Sequence, residues 1–235
     1  MKNKILIIIL VSVGVLIGFS VWYVNDYYHV TDKDAALANT DIVTVSATDF
    51  GYSFDGPGED TALIFYPGAK VEDIACADLL KRIAAEGVDC YLVHMPFNLA
   101  FLGKNKASDI IEEYSYEHWY LAGHFLGGAM AASYADDNSD KLEGLIFLAA
   151  YSVDDLSGSD LKILSIYGSE DEVVNMEKIE QGRELMPGDY EEFRIEGGNH
   201  AGFGDYGEQS GDGSATISGD EQRELTVTKI IEMIQ

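Results

Sequence analysis

The sequence predicts a doubly wound, mostly parallel α/β sheet flanked by helices, with no cap domain. Three observations predict it. From Thr61 onward, apolar runs of strand length alternate with stretches of helical period. Thr61 to Tyr66 (TALIFY) is apolar almost without interruption, as a strand buried on both faces is. Trp119 to Tyr134 (WYLAGHFLGGAMAASY) joins a short buried strand to a small-residue helix through a glycine-rich turn centred on Phe125.

The elements follow in order. Ile5 to Val24 is uncharged and mostly Ile, Leu and Val. As a helix it spans roughly 30 Å, the thickness of a bilayer core. Lys2 and Lys4 precede it and no Lys or Arg follows until Lys33. That asymmetry predicts a single-pass anchor, residues 1–24, with a cytoplasmic N-terminus and an extracytoplasmic domain. Trp22, Tyr23, Tyr27 and Tyr28 fall at the level of an interfacial aromatic belt. The alternative is secretion after signal cleavage near Gly18-Phe19-Ser20; the run exceeds an ordinary signal core, which favours the anchor. Residues 25–40 are polar and read as a tether, and 41–235 as one domain.

Within the domain, Asp41 to Ser46 alternates like a half-buried edge strand, and Gly51 to Phe54 is a second short strand before the turn Asp55-Gly56-Pro57-Gly58. Thr61 to Tyr66 is a central strand. Val71 to Glu86 is a helix with Val71, Ala75, Leu79 and Ile83 on one face, closed by Gly87. Cys90 to His94 is a strand and Ser108 to Tyr114 a modest helix. The Trp119 strand, its turn and its helix run to about Asn138. Leu142 to Ala149 and Leu161 to Tyr167 are strands, joined by a connection too short for a helical cap. Asn175 to Leu185 is helical, Tyr190 to Ile195 is the last strand, and a Gly-rich loop from Ala201 to Gly219 precedes the final helix, Glu221 to Ile234.

Composition excludes some functions. The net charge is -26, with 41 acidic and 15 basic residues. Nucleic acid needs a basic face, so it is not an expected partner. Asp205 and Asp212 in the Gly-rich loop and Asp220 just after it are acidic, but their spacing fits no calcium loop, and no metal or cofactor is expected. Cys76 and Cys90 are the two cysteines. Export permits a disulfide between them; two buried free thiols are the favoured reading.

Phe125, Asp171 and His200 each stand just after a predicted strand, where open α/β sheets carry their sites. The segments FYPGAKVE, YLAGHFLGG, IYGSEDEVV, GGNHAGFGDYG and GDGSATIS occur in that order. By these motifs the chain resembles the α/β-hydrolase family, in its small capless branch near the dienelactone-hydrolase-like enzymes (the fold-5 type). The resemblance implies a Ser-Asp-His mechanism on a small neutral ester or acyl substrate. It places the nucleophile position at Phe125, the acid at Asp171 and the base at His200. The oxyanion hole falls to the backbone N–H of Leu126 and of Gly68 or Ala69. The family's turn holds Ser where this chain has Phe125, which lacks both a transferable proton and a lone pair. Ser133 lies too far along the helix to substitute. Two readings follow: a serine hydrolase by descent whose nucleophile is missing, or a pseudoenzyme whose cleft binds a ligand or a protein. An intact His200–Asp171 hydrogen bond is the expectation of the first; a cleft remodelled around Phe125 is that of the second.

Overall fold

The structure is a computed structural model that describes residues 2–235; of residues 2–8, 17 and 21 it describes the backbone alone. Among the described residues the strands are β1 (Thr44–Thr48), β2 (Gly51–Asp55), β3 (Thr61–Tyr66), β4 (Asp89–Val93), β5 (His118–His124), β6 (Gly144–Leu148), β7 (Lys162–Gly168) and β8 (Tyr190–Ile195). They form one sheet in the order β1-β2-β4-β3-β5-β6-β7-β8. β1 and β2 pair antiparallel, as do β2 and β4; every pairing from β4 to β8 is parallel.

Alternation along the central strands builds two cores. Leu63 and Phe65 of β3, Cys90 and Leu92 of β4 and Ile146 and Leu148 of β6 face one side. There they meet Leu79, Leu80 and Ile83 of α3 (Ala77–Ala85) and Val227 and Ile230 of α7 (Gly219–Ile234). Ala62, Ile64 and Tyr66 face the other side with Leu121, Leu145 and Phe147. That side is covered by α4 (Lys106–Glu113) and α5 (Leu126–Asn138). Ala131, Ala132 and Ala135 of α5 are fully buried, so this helix lies close on the sheet because its contact face is nearly all methyl groups. The doubly wound arrangement is the one the alternating pattern predicts, and among the described residues no helix is inserted between β6 and β7.

Two local expectations shift. The first edge strand is expected from Asp41 but begins at Thr44. Thr40 Oγ1 accepts the N–H groups of Ile42 and Val43, and Asn39 Oδ1 accepts that of Val45, so side chains hold 39–43 as a turn. The helix expected from Val71 opens with a 3-10 turn, Asp73–Cys76, before α3.

Of the segment 25–40, read as a tether, Asn25 ends the first helix and residues 26–40 lie against the domain. α2 (Lys33–Leu37) forms there, capped by the Asp32 carboxylate accepting from the Ala35 N–H. Tyr28 makes a parallel bridge with Val71, its ring lies 5.6 Å from that of Tyr206, and its hydroxyl accepts from the Ser210 N–H. Val71, Ala75, Ala201 and Tyr206 form a small third core under Tyr28 and Val30.

The Ile5–Val24 run lies in α1 (Lys2–Asn25). The side chains at 5–8, 17 and 21 fall outside the described residues, and among the described residues no helix is long and apolar enough to cross a membrane. Ile9, Leu10, Val11, Val15, Leu16, Phe19 and Trp22 of this helix are all exposed. α6 (Met176–Gly182) completes the helices among the described residues.

Candidate active site

The turn between β5 and α5 is built by close approach. A side chain on Gly127 would come within 2.1 Å of the Tyr66 carbonyl oxygen, and one on Gly123 within 2.4 Å of the Gly128 nitrogen. Glycine at both positions lets α5 start directly above the end of β5 and beside the end of β3. Phe125, at the apex, has φ 48° and ψ −115°. A bulky residue rarely adopts that backbone, and a strained apex between a strand and a helix is what lifts one side chain off a sheet edge. Its N–H donates to the Leu148 carbonyl (3.0 Å), which ties the turn to the end of β6. Leu126 opens α5, so its N–H has no carbonyl one helical turn back. Gly68 follows β3 and lies against His124: a Cβ there would stand 2.8 Å from His124 Nδ1. Leu126, Gly68 and its neighbour Ala69 thus border the same turn.

Asp171 enters from the loop after β7, and His200 from the loop after β8. Both are buried. His200 Nδ1 and Asp171 Oδ2 are 3.0 Å apart. The other carboxylate oxygen, Oδ1, accepts from the N–H groups of Val173 (2.9 Å) and Val174 (2.8 Å). Those two bonds fix the carboxylate plane. In the tautomer that donates from Nδ1 to Asp171, Nε2 is the acceptor nitrogen, on the opposite edge of the ring. The Phe125 ring meets the His200 ring edge to face, centroids 5.0 Å apart at 88°. Rings at that separation are in contact, with no space for a water between them. The side chain of His200 is only 1% exposed.

His124 packs behind this pair, its ring 4.5 Å from that of His200. Its Nε2 is buried with no hydrogen-bond partner. Burial, reinforced by the neighbouring His200, holds its basicity well below that of a free imidazole, so it is neutral at pH 7.

The structure therefore brings Phe125, Asp171 and His200 together at the C-terminal ends of β5, β7 and β8, with the candidate oxyanion groups beside them. Two positioning residues were not singled out for this role from sequence. Asp212 accepts from the N–H groups of His200 (3.2 Å) and Ala201 (2.9 Å), fixing the loop on which His200 sits. Gln222 of α7, wholly buried, accepts from the Asn199 N–H and donates to the Asn199 carbonyl. A glycine-rich loop rich in Asp was the available signal for Asp212; for Gln222 there was none. The other two aspartates are spent elsewhere: Asp205 accepts from Thr31 and Asp220 pairs with Arg82. Among the described residues no group of three or more His, Cys, Asp or Glu side chains is placed to hold a metal. Ser133 accepts from Lys104 Nζ (3.3 Å) on α5. Cys76 and Cys90 are free and buried, and burial pushes the Cys76 thiol up to about 12.

Comparison with known proteins gives a consistent picture. Residues 62–224 match the model of the alpha/beta hydrolase family. A search among curated proteins finds no significant sequence match. Among solved structures, the chain is similar to a predicted CIB-like hydrolase from Thermoplasma acidophilum (TM-score 0.61, 14% identity, covering 80% of this chain and 98% of that one). It is similar also to Est1E from Butyrivibrio proteoclasticus (TM-score 0.58, 15% identity, 83% and 99%). A third is TT1662 from Thermus thermophilus (TM-score 0.58, 12% identity, 82% and 98%). At these identities the likeness is one of fold.

Proposed function

Because the chain belongs to the α/β-hydrolase family, we propose that it is by descent a serine ester or acyl hydrolase whose chemistry is impaired at one position, Phe125. The observation that carries this reading is the 3.0 Å bond between His200 Nδ1 and Asp171 Oδ2 behind a strained turn. That bond is the one a Ser-Asp-His mechanism uses to orient its base.

With serine at 125, His200 Nε2 takes the Oγ proton as the oxygen attacks the acyl carbon. Asp171 holds the imidazole in the required tautomer and stabilises the imidazolium that forms. The N–H groups of Leu126 and of Gly68 or Ala69 receive the charge that develops on the carbonyl oxygen. The imidazolium then returns its proton to the leaving alcohol, and a water, activated the same way, releases the acid. Phe125 removes the first step outright. No cofactor or metal enters the scheme.

The substrate class is a small neutral ester or acyl group, reached through a cleft without a cap. Anchoring through α1, with the domain outside the cell, is part of the proposal. It is supported by the apolar side chains that α1 exposes between Ile9 and Tyr23 and by the flanking Lys2 and Lys4. The second reading, a pseudoenzyme that binds a ligand or protein, is favoured by one contact: the Phe125 ring seated on His200, where a substrate carbonyl would otherwise lie.

The test compares the parent, Phe125→Ser, and Phe125→Ser with His200→Ala on short-chain esters and on a fluorophosphonate probe. The parent is expected to be unlabelled and inactive. The single variant is expected to gain hydrolysis, with oxyanion stabilisation and base catalysis contributing roughly two to three orders of magnitude each. Removing a packed ring costs about 3 kcal/mol or more, so folding is checked first. A folded single variant no faster than the double variant would sink the hydrolase reading and leave the binding domain.

A further inference from the structure

We infer that the loop of residues 95–103 is a membrane-contacting rim that holds the Phe125 end of the sheet against the bilayer in which α1 sits. The inference rests on the anchored reading of α1 given above.

The loop joins β4 to α4 and leaves the sheet at the C-terminal ends of the parallel strands, the end that also carries Phe125. Phe97 is 64% exposed, Phe101 54% and Leu102 48%. Single exposed apolar residues are ordinary; three within six positions of one turn are not. Phe97 and Asn98 both have left-handed backbones (φ 57° and 54°). That conformation is rare for a bulky residue, so the turn holds Phe97 outward at some expense in strain.

Charge points the same way. The chain has 41 acidic residues among 235, yet none lies between Cys90 and Ser108, while Lys104 and Lys106 do. In a domain that anionic lipid otherwise repels, this is a stretch that can approach a headgroup layer.

The rim is also fastened to the base of α1. Lys70 Nζ donates to Asp26 Oδ2 (2.8 Å) and lies 4.7 Å from the centre of the Tyr23 ring. The Lys70 N–H donates to the Asn98 carbonyl (3.2 Å), and α1 touches the Pro96–Asn98 turn. Phe19, Trp22 and Tyr23, on the last turns of α1, are exposed. Interfacial aromatics of the helix and the apolar tip of the loop are thereby joined through one lysine. A rim tethered this way is presented to its own bilayer at high effective concentration, so weak contacts suffice. The bilayer surface is the occupant that α1 brings with it.

The test uses the full chain in zwitterionic phospholipid vesicles, with Phe97→Cys, Phe101→Cys, Leu102→Cys or Lys141→Cys carrying a polarity-sensitive fluorophore. Cys76 and Cys90 are at most 1% exposed and do not react in the folded chain. Lys141 is exposed just before β6, at the opposite end of the strands. Flotation reports anchoring, and the emission wavelength, with quenching by acyl-chain quenchers, reports depth. Labels at 97, 101 and 102 are expected to shift to shorter wavelength and to be quenched, and the label at 141 to behave as in water. Chains that float while all four labels remain water-like overturn the rim and leave the anchor standing. Chains that fail to float overturn the anchored reading and the rim with it.

Discussion

A buried imidazole nitrogen without a partner makes His124 the residue with most to reveal about the site's energetics. Its basicity is depressed in the folded state by burial, with His200 adding to it. In the unfolded chain it titrates near the ordinary value of about 6.5. Below that pH the unfolded chain binds a proton that the folded one refuses, so stability falls as pH falls. Between pH 7.5 and 5.5 this amounts to about 1 kcal/mol for one such group. His124→Asn is expected to remove that part of the pH dependence, read as urea midpoints at the two pH values on the chain from residue 26 onward. Equal pH dependence in parent and variant refutes the assignment. At this scale the sequence was informative about placement: Phe125, Asp171 and His200 each follow a strand, and their side chains meet. It was silent where the partner is a distant backbone group. Gln222 serves Asn199, 23 positions away, through two hydrogen bonds that no spacing rule anticipates.

Among the elements, the segment before β1 departs most from its sequence appearance. Residues 26–40 look like linker because they are polar, yet Tyr28 and Val30 cover Val71, Ala75 and Tyr206. Tyr28 also donates its N–H to Lys70 and accepts from the Glu72 N–H, both at 2.8 Å. Pairing with residues more than forty positions away leaves no periodic trace in a local window. The consequence is a difference between two truncations. The domain from Asp26 is expected to fold; the domain from Asp41 is expected to be less stable by at least about 2 kcal/mol, from the uncovered tyrosine and valine surface. Urea unfolding of the two fragments checks this, and equal midpoints would restore the linker reading. β3 and β8 were legible to the residue because sharp turn signals bound them, whereas β1 was not, since Asn39 and Thr40 satisfy its first amides by side chain.

For the whole molecule, alternation of apolar and amphipathic stretches sufficed to recover a doubly wound sheet. It did not supply the β2-β4-β3-β5 order, because local pattern fixes which face a strand buries and not which neighbour it takes. A net charge of -26 on one domain also acts on the whole. Self-repulsion opposes the compact state, while the surface ion pairs that salt weakens are each worth little. Raising NaCl from 0.02 to 0.3 M shortens the screening length from about 20 Å to about 6 Å. The melting temperature of the domain is expected to rise, by about 2–4 °C for each kcal/mol of repulsion relieved. A fall on adding salt would mean that the ion pairs around Arg82, Asp78 and Arg223 outweigh the net charge.

The bond between His200 and Asp171 bears on how such a chain ages. Asp171 terminates two backbone amides, and His200 fills the space against His124 and Phe125. Deleting either would leave a hole or an unanswered amide inside the protein. The Phe125 ring, by contrast, is partly exposed at the apex of its turn, where it meets His200 edge to face. Once turnover ceases to matter to the cell, position 125 is therefore free to drift while the other two are still held by folding. A surviving acid–base pair in such a relative records an inheritance that packing enforces, and the apex alone records whether the reaction is still in use.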